Sequence, residues 1–552
     1  MSNFWWPLDL SERAERIFED TREYFEKERQ QLDWESAKSV NHLSSRLMKT
    51  NLEEIIERDS LPNLCHIING WGNAAVNNEH LLDYFEDFVH YDDKNRPHIL
   101  QCLPEGDFHP WQSFAYSVMA GIDGGEKFGK RQHTLAEVAE NSRYINHKDG
   151  EELGHLLFAL SFLEDKKDIK PFEFRDRDNA DLEELMEWAT TTHVEGTFRV
   201  CRKFHLTEGL CAISTRINGF ESYQEIAPYF LEGQLNMIYL LSIILDEAIK
   251  AIDEKHDIKE DSVAYELREV MAIRDYFENH LYYAGHIIEL ATFAHLLGFE
   301  MSNGHRNAII KVINQLNTLF PKYIPSLSFS EAFLGIGHYR RSVTLLMEIL
   351  EREEKGEAMD WEMLKNYTVD FNKLQPISFT EQEIEESERL VGLKVFKLSA
   401  PSEATNDYLQ EIIDEYEELS PSKEFMLRSK FPHFRRVLPK GWPRSVHFEL
   451  LDYESSSEKI GLEFHLESEE VKFLQASLGE LKDVLSEEFS EYEVIEDHDW
   501  YHGKGRVKID LPYNAGADTT AKAFLKFVEV SYPLIQQKLE NHFSQLQEAA
   551  VS

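Results

Sequence analysis

Hydrophobic residues recur every three to four positions over most of the chain, from Leu10 to about Tyr367. The spacing is clear in SERAERIFEDTREYFEKERQQL and in EDSVAYELREVMAIRDYFENHLYYAGHIIELATFAHLLGF. Because an α-helix turns once every 3.6 residues, this spacing places the apolar side chains on one face, which packs against other helices. The pattern therefore predicts a large all-α domain over residues 1–369.

Residues 370–424 are polar and strongly acidic, and they predict a helical connector. In SFTEQEIEESERL, Thr380 and Glu383 have the spacing of a capping box, in which each side chain accepts a hydrogen bond from the backbone N–H of the other residue. A second helix is predicted in NDYLQEIIDEYEELSP, because its apolar residues form one stripe. The stripe consists of Leu409, Ile412, Ile413 and Tyr416.

The period of the pattern changes in the last part of the chain. SVHFELLDY, KIGLEFHLE, YEVIE and GRVKIDL alternate apolar and polar residues, which is typical of β-strands with one buried face. Helix-like spacing returns over 469–489 and 517–541. The order is β-β-α-β-β-α, which predicts a compact α/β domain over residues 425–552. The predicted fold is thus mostly α, with a smaller C-terminal α/β domain.

Two segments of this last region, IGLEFHLE and the later DWYHGKGRVKI, resemble part of a known protein family. They resemble the small α/β accessory modules attached to restriction and phage-defence nucleases of the PD-(D/E)XK class. The resemblance implies a role in prokaryotic defence. The nuclease signature itself departs from the family pattern, because Asp452 and Glu463 are followed by His465 where the family has Lys. We therefore do not expect nuclease catalysis here.

The chain is strongly acidic, with 101 Asp and Glu against 58 Lys and Arg and a formal net charge of −43. Self-repulsion at such a charge argues against general binding of DNA, RNA or anionic lipid. The 552 residues and the 42% hydrophobic content suffice for two or more domains, each with its own core.

Cysteine usage and the N-terminal sequence predict the compartment. The four cysteines show neither the density of a disulfide scaffold nor a CxxC zinc signature. MSNFWWPLDLSERAERIF lacks a basic segment followed by an apolar core, and the longest apolar run, LNMIYLLSIIL, is shorter than the roughly 20 residues that cross a bilayer. We therefore predict a cytoplasmic protein with no membrane span.

Histidines and acids on otherwise apolar helices are the strongest indication of chemistry. In CRKFHLTEGLCAI, Cys201, His205 and Glu208 lie at i, i+4 and i+7, so they share one helix face. In GHIIELATFAH, His286 and Glu289 repeat the His-x-x-Glu spacing. Bundle enzymes build metal sites from imidazole and carboxylate on facing helices, because these ligands suit zinc, iron or manganese.

Two further pairs, Glu151 with His155 and His193 with Glu195, extend this set. The predicted metal ligands are His155, His193, His205, Glu208, His286 and Glu289. The predicted catalytic residues are His205, Glu208, His286 and Glu289. Two alternatives stay open: a Glu–His pair acts as a general base without metal, or each histidine only donates a hydrogen bond to an acid in a polar interior.

Two other motifs suggest chemistry less strongly. GGEKFGKR has the glycine and lysine spacing of a phosphate-binding P-loop, and LLSIILDE resembles the strand that holds magnesium, but Arg131 replaces the metal-binding Ser or Thr and the second segment has helical spacing. FHPWQSFAYSVMAG offers His109, Trp111 and Tyr116 as pocket residues, although aromatic residues at this spacing are more typical of a core.

One stretch of this acidic chain, RSKFPHFRRVLPKGWPRS, is positively charged. It lies just before the predicted strands. Its three prolines predict an extended loop. Its cations suit phosphates, and Trp442 suits an unstacked base. The predicted nucleic-acid-binding residues are Arg428, Lys430, Arg435, Arg436, Lys440, Trp442 and Arg444. The alternative is that this loop docks on the acidic connector of the protein itself.

These observations lead to two functional hypotheses. The first is an interaction protein whose C-terminal region binds nucleic acid or another polyanion; a protein partner of the chain is a separate expectation. The second is a metal-dependent or acid–base enzyme with its site around His205 and His286 in the helical domain, for which a divalent metal is the expected cofactor.

Overall fold

The structure of the protein is a computed structural model. The structure describes residues 10–57, 61–76, 79–91, 95–99, 110–142, 144–145, 150–163, 173–174, 180–191, 200–259, 261–271, 273, 277–326, 329–359, 361, 363–364, 368–391, 395, 407–420, 425–427, 434–439, 442–443, 445–452, 459–466, 469–501, 504–512 and 515–551.

The chain divides into two compact units. The first, the helical unit, comprises Met1–Val89, Pro97–Ile99 and His109–Ser399. The second, the sheet unit, comprises His90–Arg96, Leu100–Phe108 and Ala400–Ser552.

The helical unit is built almost entirely from α-helices. They are α1 (Glu12–Lys27), α2 (Trp34–Glu57), α3 (Leu61–Trp71), α4 (Pro110–Met119), α5 (Leu135–Asn141), α6 (Gly150–Leu163), α7 (Leu182–Thr191), α8 (Val200–Arg216), α9 (Ala227–Leu235), α10 (Met237–Glu254), α11 (Val263–Val270), α12 (Phe277–Leu296), α13 (Asn303–Tyr323), α14 (Phe329–Lys355) and α15 (Glu381–Val391). Two-residue strands lie between these helices in the sequence, at β1 (Ala75–Val76), β2 (Glu79–His80), β3 (His90–Tyr91), β4 (Pro97–His98), β5 (Lys127–Phe128), β6 (His133–Thr134), β7 (Tyr144–Ile145) and β8 (Glu173–Phe174). The predicted all-α domain is confirmed.

The first helix illustrates why these segments are helical. The Ser11 hydroxyl caps α1 by accepting a hydrogen bond from the Ala14 amide at 3.2 Å. Ala14, Phe18 and Phe25 lie on one face and are buried. Capping satisfies a backbone donor that the helix leaves open, and the apolar stripe provides most of the stability through packing.

The sheet unit contains a six-stranded antiparallel sheet in the order β13-β14-β12-β11-β10-β9. Its elements are α16 (Asp407–Leu419), β9 (Phe425–Leu427), β10 (Phe434–Pro439), β11 (Val446–Asp452), β12 (Lys459–Leu466), α17 (Ser477–Glu488), β13 (Val494–Tyr501), β14 (Lys504–Pro512) and α18 (Ala517–Val551). The predicted C-terminal α/β architecture is therefore confirmed.

One face of this sheet packs a hydrophobic core. Phe448, Phe464 and Val507 lie side by side on the three central strands and are fully buried. The predicted apolar stripe of α16 belongs to the same core, because Leu409, Ile412, Ile413 and Tyr416 are all buried there. Alternation along each strand places the intervening residues on the opposite face.

The connector and the basic stretch differ from the sequence-based expectations. The Thr380–Glu383 capping box forms, with the Thr380 amide donating to Glu383 Oε2 at 2.7 Å. The two connector helices, however, belong to different units, since the units divide between Ser399 and Ala400. Part of the predicted loop is strand β10, which pairs with β9 and β11. The predicted strand order thus lacked β9 and β10.

Among the helices that the structure describes, none is long and apolar enough to cross a bilayer.

Candidate metal centre

Glycines at helix crossings bring the backbones of the helical unit into close contact. A Cβ atom at Gly154 of α6 would lie 2.4 Å from the His205 carbonyl carbon of α8. A Cβ atom at Gly285 of α12 would lie 2.7 Å from the His338 Cβ atom of α14. Because real Cβ atoms do not approach so closely, only glycine permits these two crossings. Each crossing places histidines of facing helices next to one another.

Six ionisable side chains from α6, α8, α12 and α14 meet in the interior, and each is at most 2% exposed. This buried cluster consists of His155, His205, Glu208, His286, Glu289 and His338. The ring centroids of His155 and His205 are 4.2 Å apart, those of His286 and His338 are 4.0 Å apart, and those of His205 and His286 are 5.1 Å apart. Five of the six predicted metal ligands therefore share one site, and the sixth, His193, lies outside the described residues.

Each carboxylate of the buried cluster orients one imidazole. His205 Nδ1 lies 2.8 Å from Glu208 Oε2, and His338 Nδ1 lies 3.0 Å from Glu289 Oε2. Asn69 Nδ2 also donates to Glu289 Oε2, at 3.3 Å. When both carboxylates are ionised they only accept hydrogen bonds, so each Nδ1 carries the ring proton. The Nε2 atoms of His205 and His338 then carry lone pairs.

Tyr116 on α4 lies between these two Nε2 atoms. Its hydroxyl oxygen is 3.2 Å from His205 Nε2 and 3.4 Å from His338 Nε2. A phenol has one proton to donate, so Tyr116 cannot satisfy both nitrogen lone pairs at once. Tyr116 therefore donates to at most one of the two imidazoles.

His286 provides another lone pair. Its Nδ1 lies 2.9 Å from the Tyr282 carbonyl oxygen, which only accepts, so Nδ1 carries the proton and Nε2 is an acceptor. That Nε2 atom is buried and has no hydrogen-bond partner among the described residues, and the same holds for Glu289 Oε1. A neutral imidazole fixed by a backbone carbonyl and a carboxylate with one unsatisfied oxygen are both groups with which proteins hold divalent metals.

The electrostatics of the cluster favour a bound cation. Burial raises the pKa of Glu208 well above its usual range, and the nearby Glu289 carboxylate raises it further. Burial alone would also raise the pKa of Glu289, but His338 and His205 hold it below its usual range. Burial and the neighbouring imidazoles lower the pKa of His286, which keeps it neutral. A divalent ion would offset the repulsion between the two carboxylates.

The number of donors exceeds the needs of one ion. Ligand atoms of His205, Glu208 and Glu289 all lie within 4.8 Å of one another. His155, His286 and His338 add three more imidazoles to the same space. A tetrahedral ion takes four ligands, whereas six donors of nitrogen and oxygen type suit a pair of zinc, iron or manganese ions.

Replacing Glu208 by Gln is expected to stabilise the metal-free protein at neutral and alkaline pH. Because the pKa of Glu208 is raised on folding, the unfolded chain ionises first as pH rises above about 4.3, and the folded state loses stability through that window. Glutamine removes this penalty. Thermal unfolding of the EDTA-treated full chain at pH 8 should show a higher midpoint for Glu208→Gln, and the difference should vanish near pH 4.

The exposed Glu225→Gln is the matched control for that experiment. A lower midpoint for Glu208→Gln than for wild type at pH 8 would contradict the electrostatic account of Glu208.

Sequence reasoning missed His338, and it ranked Tyr116 only as a weak pocket residue. A signal was present, because the dipeptide Gly-His occurs at 154–155, 285–286 and 337–338, although the same dipeptide at 304–305 contributes no residue to the buried cluster. At the first three positions the glycine lies at a helix crossing, so the adjacent histidine belongs to a close-packed interior. His66 is a further neighbour, with its ring centroid 5.4 Å from that of His338.

Other predicted residues have different surroundings. Trp111 is fully buried in the core beside Phe114, with ring centroids 5.2 Å apart. His109 lies outside the described residues, as do the side chains of Glu151 and Cys201.

The P-loop-like segment already holds carboxylates of the protein itself. The Gly129 amide donates to Asp83 Oδ1 at 2.9 Å, and the Lys130 and Arg131 amides donate to the carboxylate of Glu86. LLSIILDE lies within α10 rather than in a strand. These positions agree with a structural turn and a buried helix.

The described part of the basic stretch lies in the sheet unit, largely in its interior. Arg435 is fully buried, and Trp442 is 3% exposed and stacks on Tyr532 with ring centroids 5.3 Å apart. Arg436 pairs with Glu449 at 2.6 Å. Arg435 and Trp442, being buried, offer no surface to a nucleic acid, whereas the Arg436 side chain is 32% exposed. The remaining predicted contacts, Arg428, Lys430, Lys440 and Arg444, lie outside the described residues and stay predictions.

Comparisons of the chain with protein-family models, with curated proteins and with solved structures found no match. The functional proposal therefore rests on the geometry and chemistry of the buried cluster.

Proposed function

We propose that the helical unit is a metal-dependent enzyme whose centre is a pair of divalent ions held by the buried cluster. The observation that carries this proposal is the unsatisfied pair of donors, His286 Nε2 and Glu289 Oε1, in a fully buried group of four imidazoles and two carboxylates. A buried polar atom without a partner is costly, so its persistence calls for a ligand. Bundle enzymes place metal ligands on facing helices in this manner.

A metal-free acid–base enzyme is the second candidate. The contacts from Glu208 to His205 and from His205 to Tyr116 form a chain along which a proton can move. That chain, however, leaves the lone pair of His286 and the second oxygen of Glu289 without a role. The two candidates differ in one respect that is simple to measure, because only the first loses activity on chelation.

The burial of the ligands restricts the substrate. His155, His205, His286 and His338 are each at most 1% exposed, so a polymer cannot reach the ions in this conformation. A small molecule such as dioxygen can diffuse through a helical interior. The Tyr116 phenol, within hydrogen-bonding distance of two imidazoles, is placed to supply a proton to a reduced product. We therefore infer that dioxygen is the substrate that reaches the metal.

Anaerobic loading of the full chain with Fe²⁺, followed by dioxygen, tests this function. Two Fe²⁺ ions each lose one electron, and together with two protons they reduce one dioxygen to hydrogen peroxide. The expected result is consumption of one dioxygen per two bound irons, with loss of the reaction in His286→Gln. An oxygen electrode and a peroxide assay measure both quantities.

The matched control is His295→Gln on the same helix, at a side chain that is 26% exposed, and this variant should react like wild type. Oxidation no faster than that of free Fe²⁺ would overturn the proposed substrate. Dioxygen chemistry that survives in His286→Gln would overturn the assignment of the site.

A further inference from the structure

The second face of the sheet carries a polar cluster that is separate from the buried cluster of the helical unit. Opposite its hydrophobic core, β11 presents His447 and Glu449, and β12 presents Glu463 and His465. The antiparallel register pairs His447 with His465 and Glu449 with Glu463. All four side chains are at most 4% exposed. Because buried polar groups require partners, these two imidazoles and two carboxylates must contact one another or a bound ligand.

His465 is held in a defined tautomer. Its Nε2 lies 2.7 Å from Glu463 Oε2, and the same oxygen accepts a hydrogen bond from Arg506 at 3.1 Å. Because that oxygen accepts, His465 Nε2 donates and Nδ1 carries the lone pair. A carboxylate that orients the far nitrogen of a histidine in this way is the usual support for a metal-binding imidazole.

The lone pair of His465 Nδ1 faces another acceptor. Glu449 Oε2 lies 3.7 Å from His465 Nδ1, which is too long for a hydrogen bond and close to the separation of two ligands on one ion. His447 Nε2 donates to the other oxygen of Glu449 at 3.1 Å, so the ring proton must move to Nδ1 before Nε2 can bind a metal. Ligand atoms of all three residues lie within 4.8 Å of one another. Two imidazoles and one carboxylate supply three of the four ligands that a tetrahedral ion takes.

Burial and the neighbouring charges keep the His447 imidazole neutral and the Glu449 carboxylate ionised, as metal ligands must be. Burial lowers the pKa of His447, so its imidazole is neutral. Burial alone would raise the pKa of Glu449, but His447, His465 and Arg436 lower it to about 2. Arg436 contacts Glu449 at 2.6 Å, and Arg506 contacts Glu463. These two guanidinium groups favour an anionic fourth ligand on a bound cation.

We propose that His447, Glu449 and His465 bind one divalent ion of the zinc class on the polar face of the sheet, with Glu463 as a positioning residue. The site lies in the sheet unit and does not depend on the function proposed for the helical unit. Its ligand is a metal ion, to which a small anion such as phosphate can add from the side of the arginines.

Anomalous diffraction at the zinc absorption edge tests the site in the full-length wild-type chain. Crystals grown with Zn²⁺ are expected to show a peak about 2.0–2.2 Å from His447 Nε2, from a Glu449 oxygen and from His465 Nδ1. This measurement needs no variant. The absence of a peak at these three residues, in crystals whose helical unit holds zinc, would overturn the proposal.

Two variants of the full chain test the same site in solution. His465→Gln should lose one zinc equivalent per chain on equilibrium dialysis, whereas Glu463→Gln should keep it with about 10- to 100-fold weaker affinity. Lys459→Gln, an exposed change on the same strand, is the control and should bind as wild type. Near-ultraviolet circular dichroism checks that each variant is folded. Unchanged zinc binding in both His465→Gln and Glu463→Gln would contradict the site.

The outcome is distinguishable from failure of the helical centre. Zinc equivalents that respond to changes in the helical unit but not to His465→Gln would leave the proposed function in place and remove only the sheet site.

Discussion

Replacing Glu289 by glutamine is expected to strip the metal from the helical unit while leaving the helices folded. Glu289 has one oxygen held by His338 and Asn69 and a second oxygen without a partner, and it lies beside Glu208. Glutamine keeps the shape and one acceptor but removes the negative charge that a divalent ion needs. Because second-sphere changes alone weaken metal sites by about 10- to 100-fold, loss of a direct ligand should weaken binding by more than about 100-fold.

Equilibrium dialysis followed by elemental analysis of the full chain measures this change. Glu300→Gln, an exposed substitution just beyond the end of α12, is the matched control and should retain the wild-type metal content. Helical circular dichroism should be the same in both variants. Metal content that is unchanged in Glu289→Gln would show that the ion, if bound, does not use this carboxylate.

The second large effect is expected from Gly285→Ala at the crossing of α12 and α14. The added Cβ would lie 2.7 Å from both the Cβ atom of His338 and the backbone nitrogen of Tyr339. Backbone atoms cannot rotate away, so the helices must separate. Overpacking of this kind costs about 1–3 kcal/mol and occasionally more, while the better helix propensity of alanine returns about 1 kcal/mol.

Because the clash includes backbone atoms, the cost lies at the upper end of that range, and after the gain in helix propensity we expect Gly285→Ala to lower the free energy of unfolding of the helical unit by about 2 kcal/mol. The displaced His338 should also weaken metal binding. Gly479→Ala in α17 is the matched control, because its Cβ would meet only Glu496 Oε1 at 3.5 Å, an ordinary contact. Urea unfolding of both variants makes the comparison. Equal stability of Gly285→Ala and wild type would contradict the tight crossing.

The pattern of apolar residues predicted most of the fold because both periods are local properties of the chain. The three- to four-residue spacing of the N-terminal part and the alternation in SVHFELLDY and KIGLEFHLE correspond to observed helices and strands. Strand β10 was missed because prolines and arginines favour a loop in a local interpretation. Its pairing with β9 and β11 is tertiary information that no short window contains.

The site was only half predictable for the same reason. The His-x-x-Glu spacing on α8 and α12 placed His205, Glu208, His286 and Glu289 on helix faces, and these residues do converge. His338 has no acidic residue or second histidine three or four positions away on its helix, so no local spacing marks it as a ligand. Its contact with Glu289 depends on the crossing at Gly285, which the sequence marks only by the repeated Gly-His dipeptide.

The described part of the basic stretch differs from the exposed loop that local reasoning predicts. A run of cations in an acidic chain predicts a surface for anions, yet Arg435 is buried in the sheet unit and Arg436 is paired with Glu449. Cations that stabilise a buried polar face leave the same signature in sequence as cations that face a ligand. Burial alone separates the two cases.

X-ray absorption spectroscopy on the purified full chain, loaded with Fe²⁺ or Zn²⁺ and dialysed, tests the central claim most directly. The predicted result is two ions that depend on the helical unit, with a first shell of nitrogen and oxygen at about 2.0–2.2 Å and imidazole scattering, and loss of those two ions in Glu289→Gln while any ion of the sheet unit remains. Absence of tightly bound metal after loading, with the helices intact, would contradict the metal centre and leave the Glu208–His205–Tyr116 proton chain as the remaining account of the cluster.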